Sequence, residues 1–167
     1  MTQSSLPQPH IGFIPTPFDV VEPLLNLAEI TAEDVVYDLG CGDGRILIAA
    51  ARLGARGVGI DVDERCLQQA QAAASAAGVS DRLTFWQQDL FSCDVRAATI
   101  VVLYLLPHLN LRLLPHLLSQ LQPGARIVSH QFDLGDWTPD RVLHLPDSEE
   151  SSTLYCWSLS AGCVSFG

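Results

Sequence analysis

The sequence predicts an α/β fold, a doubly wound and mostly parallel seven-stranded sheet that ends in an antiparallel hairpin. Three observations predict it. Short apolar runs alternate with segments of helical periodicity from about residue 18 to residue 130, the pattern of parallel strands joined by crossovers. A glycine-rich turn at 40–44 joins the first such run to the helix behind it. Beyond residue 130 the pattern changes to two strand-like runs around an acidic, serine-rich stretch, which reads as a hairpin.

Taken in order, residues 1–17 read as an extended arm, because Pro7, Pro9, Gly12, Pro15 and Pro17 disfavour helix. Phe18 to Ile30 carries Phe18, Val21, Leu24, Leu25 and Leu27 at helical spacing, with Pro23 as a kink. Val35–Leu39 is the first strand, and Arg45 to Leu53 an alanine-rich helix. Gly57–Ile60 is the second strand, closing on Asp61. Glu64 to Ala77 is a helix capped by Asp63 and stopped by Gly78. Leu83–Trp86 is the third strand, ending near Asp89. Thr99 to Leu105 is the fourth, apolar on both faces as a central parallel strand must be. His108 to Leu121 is a leucine-rich helix closed by Pro123-Gly124, and Arg126 to His130 the fifth strand. Arg141 to Leu145 and Thr153 to Leu159 form the hairpin, joined by residues 147–152.

The 167 residues suffice for one domain, expected over 18–167 behind the arm. With 48% hydrophobic and 17% charged residues the chain can bury a core. The longest apolar run, around Ile100 to Leu106, is about half a bilayer span, so no membrane span is expected. No lysine or arginine precedes Arg45, so no signal or transit peptide is expected, and the cysteines point the same way, to the cytoplasm. Those at 41, 66, 93, 156 and 163 are odd in number and lack a Cys-x-x-Cys pair, which suits reduced thiols rather than a disulfide framework or zinc site. The five histidines are equally scattered, and no metal site is expected.

Nineteen acidic residues face nine basic ones, all arginine, for a net charge of −10; lysine is absent. Such a surface repels a phosphate backbone, which disfavours nucleic acid as a partner. It either keeps the chain soluble or attracts a basic partner.

The residues that carry chemistry are Asp38-Leu39-Gly40-Cys41-Gly42-Asp43-Gly44. A strand enters a tight turn whose glycines let a ligand approach the backbone, and a helix begins at once with free N–H groups. The dinucleotide fingerprint needs its third glycine one residue later than Gly44, and Asp43 would repel a pyrophosphate. No Gly-Lys-Ser/Thr exists, so a Walker loop is excluded. Cys41 reads as a small buried filler rather than a nucleophile.

Asp-x-Gly-x-Gly-x-Gly, with an acid closing each of the next two strands, resembles the cofactor site of the class I, seven-stranded methyltransferases. Asp38 and Gly40 to Gly44 match the first motif, Asp61 the acid that holds both ribose hydroxyls, and Asp89 in Gln88-Asp89-Leu90 the acid beside the adenine amino group. Taken singly, Asp61 could be a helix cap and Asp89 a surface acid; all three in order, in strand–turn–helix context, carry the resemblance. It implies a Rossmann-like sheet and S-adenosyl-L-methionine as cofactor, held by Thr16, Asp38, Gly40, Cys41, Gly42, Gly44, Asp61, Asp89, Leu90 and Tyr104. The cofactor carries a sulfonium and an ammonium but no phosphate, so an acidic loop becomes an asset.

Pro15-Thr16-Pro17, the glycine loop with Arg45, and Trp137-Thr138-Pro139-Asp140 are similar to a narrower group. It comprises small bacterial relatives of the lysine methyltransferases that modify the ATP synthase c-subunit and the adenine nucleotide translocase. In that group the arm closes over the methionine end of the cofactor, which implies a place for Thr16. No membrane-targeting segment like that of the mitochondrial relatives is expected. The resemblance implies methylation of a protein lysine; a small-molecule acceptor and a non-catalytic cofactor-binding module remain alternatives. The sequence holds no Asn/Asp-Pro-Pro-aromatic motif after the fourth strand, where Tyr104-Leu105-Leu106-Pro107 stands instead. A lysine acceptor must shed its proton, and His108, Tyr104 and His130 are the candidates to assist, none of them singled out by spacing.

Overall fold

A computed structural model describes residues 15–160. Most of the expected arm, 1–14, and the last residues of the expected domain, 161–167, lie outside the described residues. The elements are α1 (Phe18–Leu27), β1 (Val35–Leu39), α2 (Arg45–Arg52), β2 (Arg56–Asp61), α3 (Glu64–Ala76), β3 (Leu83–Gln87), β4 (Ile100–Leu103), α4 (Pro107–Gln120), β5 (Arg126–His130), β6 (Arg141–Leu145) and β7 (Ser152–Ser158). A short 3₁₀ turn at Ser80–Arg82 leads into β3.

The strands form one seven-stranded sheet in the order β3-β2-β1-β4-β5-β7-β6. β1 to β5 run parallel, while β7 lies antiparallel to both β5 and β6. The winding reverses between β1 and β4, and in such sheets the crevice at the carboxyl ends of the strands at that point receives the ligand.

Both faces of the central strands are buried, which explains their unbroken apolar runs. In β4, Ile100 and Val102 pack in the core under α1 and α2 with Leu24 and Leu47, while Val101 and Leu103 pack in the core under α4 with Leu113 and Leu117. Arg126, the first residue of β5, donates to the carbonyl of Ala28 and pairs with Asp34 at 3.0 Å, tying the end of α1 to the amino edge of the sheet.

Three differences from expectation have local causes. α1 stops at Leu27 rather than Ile30, because Glu29 turns left-handed at φ 54°. The Ile30 N–H then returns to the Leu25 carbonyl and that of Glu29 to Asn26, which closes the helix end. No helix joins β3 to β4, so the regular alternation of strand and helix breaks there. Asp89 accepts from the Phe91 N–H and Asp94 from that of Arg96, and such side-chain turns compete with the helix. β4 is confined to Ile100–Leu103; the Thr99 hydroxyl caps the Val35 N–H at 2.9 Å, and Leu106 stands in extended conformation before Pro107.

Candidate functional site

The glycine loop leaves β1 at the switch point. Gly40, Gly42 and Gly44 have φ of 85°, 55° and 79°, the left-handed region that glycine enters without steric cost. The N–H groups of Gly40 and Cys41 both donate to the Ile60 carbonyl, at 2.7 and 3.1 Å, folding the loop against the end of β2. Close approach there requires Gly59, where a Cβ would stand 2.8 Å from the Cys41 sulfur and 2.7 Å from the Phe85 ring. Cys41 is buried, and burial followed by the charges of Asp38 and Asp61 pushes its thiol upward, which keeps it an unreactive filler.

Asp61 completes the loop. One carboxylate oxygen accepts from the Gly42 N–H at 3.0 Å, the other from the Asp63 N–H at 2.9 Å. The cap of α3 is Asp63, which accepts from the Arg65 N–H at 2.9 Å. Asp61 is therefore free of capping duty, and its remaining acceptor capacity can meet a pair of hydroxyls. Asp38 lies buried beneath the loop; burial first, then Asp61 and Asp43, raises its carboxyl to about 7. A cationic ligand would favour its ionised form.

Asp43 plays a different part from the one its loop position suggests. It forms a forked pair with Arg45, 2.7 Å from Nη2 and 3.1 Å from Nε. Arg45 also donates to the Thr16 carbonyl at 3.0 Å and lies 4.0 Å above the Phe18 ring. The acidity offered to a ligand thus comes from Asp38 and Asp61 rather than Asp43. Asp89 and Leu90 follow β3 in a turn.

A second cluster adjoins the first. Thr16 is buried, its hydroxyl 3.3 Å from Nδ1 of His130 at the end of β5. The other ring nitrogen of His130 is 2.7 Å from the hydroxyl of Ser152, which opens β7. His130 is fully buried, which holds it neutral and lowers it to about 4. The Tyr104 ring packs against it, tilted 44° with centroids 4.1 Å apart, and its hydroxyl donates to Glu150 at 3.3 Å. Gln131 and Ser151, neighbours of the His130–Ser152 pair, both adopt positive φ, 73° and 50°. Non-glycine residues pay for such conformations and hold them where the surroundings over-determine them.

The structure thus brings Thr16, Asp38, Gly40, Cys41, Gly42, Gly44, Asp61, Tyr104 and His130 to the carboxyl ends of adjoining strands. His108 lies exposed in the first turn of α4, outside this cluster. Sequence reasoning missed Ser152 and Glu150, because the stretch 147–152 carried only a turn signal.

The strand order and glycine loop define a class I S-adenosylmethionine-dependent methyltransferase, and comparison with known proteins agrees. The model of the ANTKMT methyltransferase domain matches residues 38–141, and the chain belongs to that family. It is 37% identical to a protein-lysine N-methyltransferase of Saccharolobus islandicus over 89% of this chain and 94% of that one. It is 30% identical to the human lysine N-methyltransferase of the ATP synthase c-subunit, over 79% of this chain and 56% of that protein. A solved structure from Salinibacter ruber, described as an RNA methyltransferase in complex with S-adenosyl-L-homocysteine, superposes with a TM-score of 0.87 at 48% identity, over 92% of this chain and 98% of that one.

Proposed function

We propose that this methyltransferase modifies lysine side chains of a basic protein. S-Adenosyl-L-methionine supplies the electrophilic sulfonium methyl group. In this reading Asp61 holds the ribose hydroxyls, Asp89 and Leu90 flank the adenine, and Asp38 with the backbone of Gly40, Cys41, Gly42 and Gly44 meets the methionine end. Thr16 and Tyr104 close that end from the side of the arm and of β4. The residues fit a cofactor with two positive charges and no phosphate, because buried Asp38 and half-buried Asp61 gain their compensating charge from it. Reaction then needs a neutral amine aligned with the methyl group and shielded from water, chiefly a task of positioning.

The observation that carries the lysine reading is the charge around the open end of the sheet. Asp19, Asp61, Asp89, Glu149 and Glu150 lie on the elements that frame it, while Arg45 is already paired to Asp43. A surface at −10 attracts lysine-rich chains and repels phosphates. The Saccharolobus and human relatives, both described as lysine methyltransferases, support the same acceptor. Among the described residues no helix is long and apolar enough to cross a membrane. Four buried free thiols, at Cys41, Cys66, Cys93 and Cys156, support a reducing, cytoplasmic setting.

The description of the Salinibacter structure favours RNA as the second reading. Methyl-labelled cofactor incubated with core histones, with total RNA and with a protein-free metabolite fraction decides between them. Label on histone lysines, at a rate that falls as salt screens the attraction, is expected. Label confined to RNA or to metabolites would overturn the proposal.

A further inference from the structure

We propose that Tyr104 and Glu150 form the subsite that receives the acceptor's ammonium group, the carboxylate meeting its charge and the phenol ring walling its approach. This inference rests on the lysine reading and assigns that reading a place in the fold.

Position comes first. Leu103 is the register partner of Leu39 on one side and of Ser129 on the other. The next residue, Tyr104, therefore stands level with Gly40, where the glycine loop begins, and with His130. Leu105 is the side chain nearest Gly40, 3.8 Å from where a Cβ would be. A group attacking a methyl held over this loop must come past Tyr104.

The side chains there have the chemistry to guide a cation. The Tyr104 ring is tilted 44° against His130 at 4.1 Å and stacked on Phe132 at 6.5 Å, so its orientation is set by packing on one side. Its hydroxyl donates to Glu150 at 3.3 Å. Burial, and then the charge of Glu150, raises the phenol above its usual value, so it remains a donor at neutral pH. Glu150 sits on the connection between β6 and β7, which is fastened to α1 where the Glu149 N–H donates to Asp19 at 2.8 Å. Among the described residues the ion pairs join Arg45, Arg96, Arg126 and Arg141 to other acids, and none reaches Glu150. A carboxylate held by a phenol, beside an aromatic face and without a cation of its own, suits a primary ammonium. A phosphate would be repelled by this carboxylate.

The carboxylate recognises the charged acceptor and is not the base. A carboxylate beside an ammonium favours the protonated form, so the proton leaves to solvent from a site whose Glu150 is exposed. The nitrogen lone pair then forms the N–C bond as the methyl–sulfur bond breaks. The bonding pair stays on sulfur, releasing S-adenosylhomocysteine and a methylammonium product. Removing the carboxylate should weaken acceptor capture while leaving the chemical step as fast or faster.

The test uses the full-length protein, core histones as acceptor, and three variants, Glu150→Gln, Tyr104→Phe and Asp147→Asn. Asp147 lies on the same connection and is exposed, so its replacement makes the same change in net charge without touching Tyr104. Glu150→Gln should raise KM for histones about fivefold or more, the scale of one lost charge contact. Its kcat should not fall, and the rising limb of its pH–rate profile should move to lower pH. KM for S-adenosylmethionine should stay within twofold of wild type. Tyr104→Phe should raise the histone KM less, and the double variant should be no worse than Glu150→Gln alone, because the hydroxyl acts through the carboxylate. Asp147→Asn should leave KM within twofold. Equal KM values for wild type and Glu150→Gln, or equal effects of Glu150→Gln and Asp147→Asn, would overturn the subsite while leaving lysine methylation in place. A wild-type protein that labels no lysine would overturn the reading beneath it.

Discussion

Asp38 and His130 titrate in opposite senses, and replacing either one should expose a pH dependence of stability that the pair conceals. Asp38 is raised from 3.8 to about 7 in the fold, so the folded state holds a proton that the unfolded chain has released. Stability from this source is greatest below pH 4 and falls as pH rises through 7, by about 4 kcal/mol at 1.36 kcal/mol per unit. His130 is lowered from 6.5 to about 4, so the unfolded chain binds a proton that the folded state refuses. Its stability is fully present above pH 6.5 and falls by about 3 kcal/mol as pH drops through 4. Between about pH 4 and 6.5 the two slopes cancel, each near 1.4 kcal/mol per pH unit. In His130→Asn only the Asp38 slope survives, and the variant should grow more stable as the solution is acidified across that window. At pH 7.5 it should be weaker than wild type by about 1–3 kcal/mol, from the disturbed bonds to Thr16 and Ser152, with the deficit shrinking toward pH 4.5. Urea unfolding of the cofactor-free protein at one-unit intervals, with midpoints and m-values compared, measures the gap. Asp38→Asn should show the converse, gaining on wild type as pH rises. Stability gaps that stay constant from pH 4.5 to 7.5 for both variants would refute the reasoning.

Two further outcomes follow from the glycine loop. Asp61→Ala should weaken S-adenosylhomocysteine binding by about 2–4 kcal/mol in calorimetry, through lost ribose bonds and a loosened Gly42, whereas Asp63→Ala should leave affinity unchanged and cost about 1 kcal/mol of fold stability as a lost cap. Gly59→Ala should cost about 1–3 kcal/mol in urea unfolding, because the added methyl meets Cys41, Leu47 and Phe85 at or inside 3.0 Å; Gly78→Ala, with open space around it, should cost less despite its φ of 73°.

What the sequence made legible was written in local patterns. β1, β5 and β6 fall where the apolar runs placed them, and Asp63 caps α3 as its position before Glu64 implied. The loop motif could be read because its parts lie within a few residues of a strand end, where glycine conformations and helix start are decided locally. The second cluster could not. Thr16 and His130 are 114 residues apart, Tyr104 and Glu150 are 46 apart, and His130 and Ser152 are 22 apart. The placing of β7 between β5 and β6 brings Glu150 and Ser152 to their partners, and the docking of α1 against the sheet brings Thr16 to His130. Asp43 was misjudged for a different reason. Its carboxylate accepts from the Arg45 backbone N–H as well as from the guanidinium, a local side-chain turn that recurs at Asp94 and Arg96 and leaves no periodic signal. The missing helix between β3 and β4 shows short-range competition of the same kind, since Asp89 and Asp94 satisfy backbone N–H groups that a helix would otherwise have used.

The net charge gains meaning once the arginines are placed. Arg126 pairs with Asp34 at the amino edge of the sheet, Arg141 with Glu29 beyond α1, Arg96 with Asp94 on the connection after β3, and Arg45 with Asp43 inside the loop. These cations fasten chain segments to one another and leave Asp38, Asp61 and Glu150 without cationic partners among the described ion pairs. An even coat of negative charge would promote solubility and nothing more. Charge left uncompensated at the carboxyl end of the sheet attracts cations to the place where the chemistry happens. A lysine on the elements that frame this end of the sheet would be drawn to the same charge and compete with the acceptor. The sequence contains none, and every cation it carries is an arginine, whose delocalised guanidinium does not deprotonate to a nucleophile in a protein.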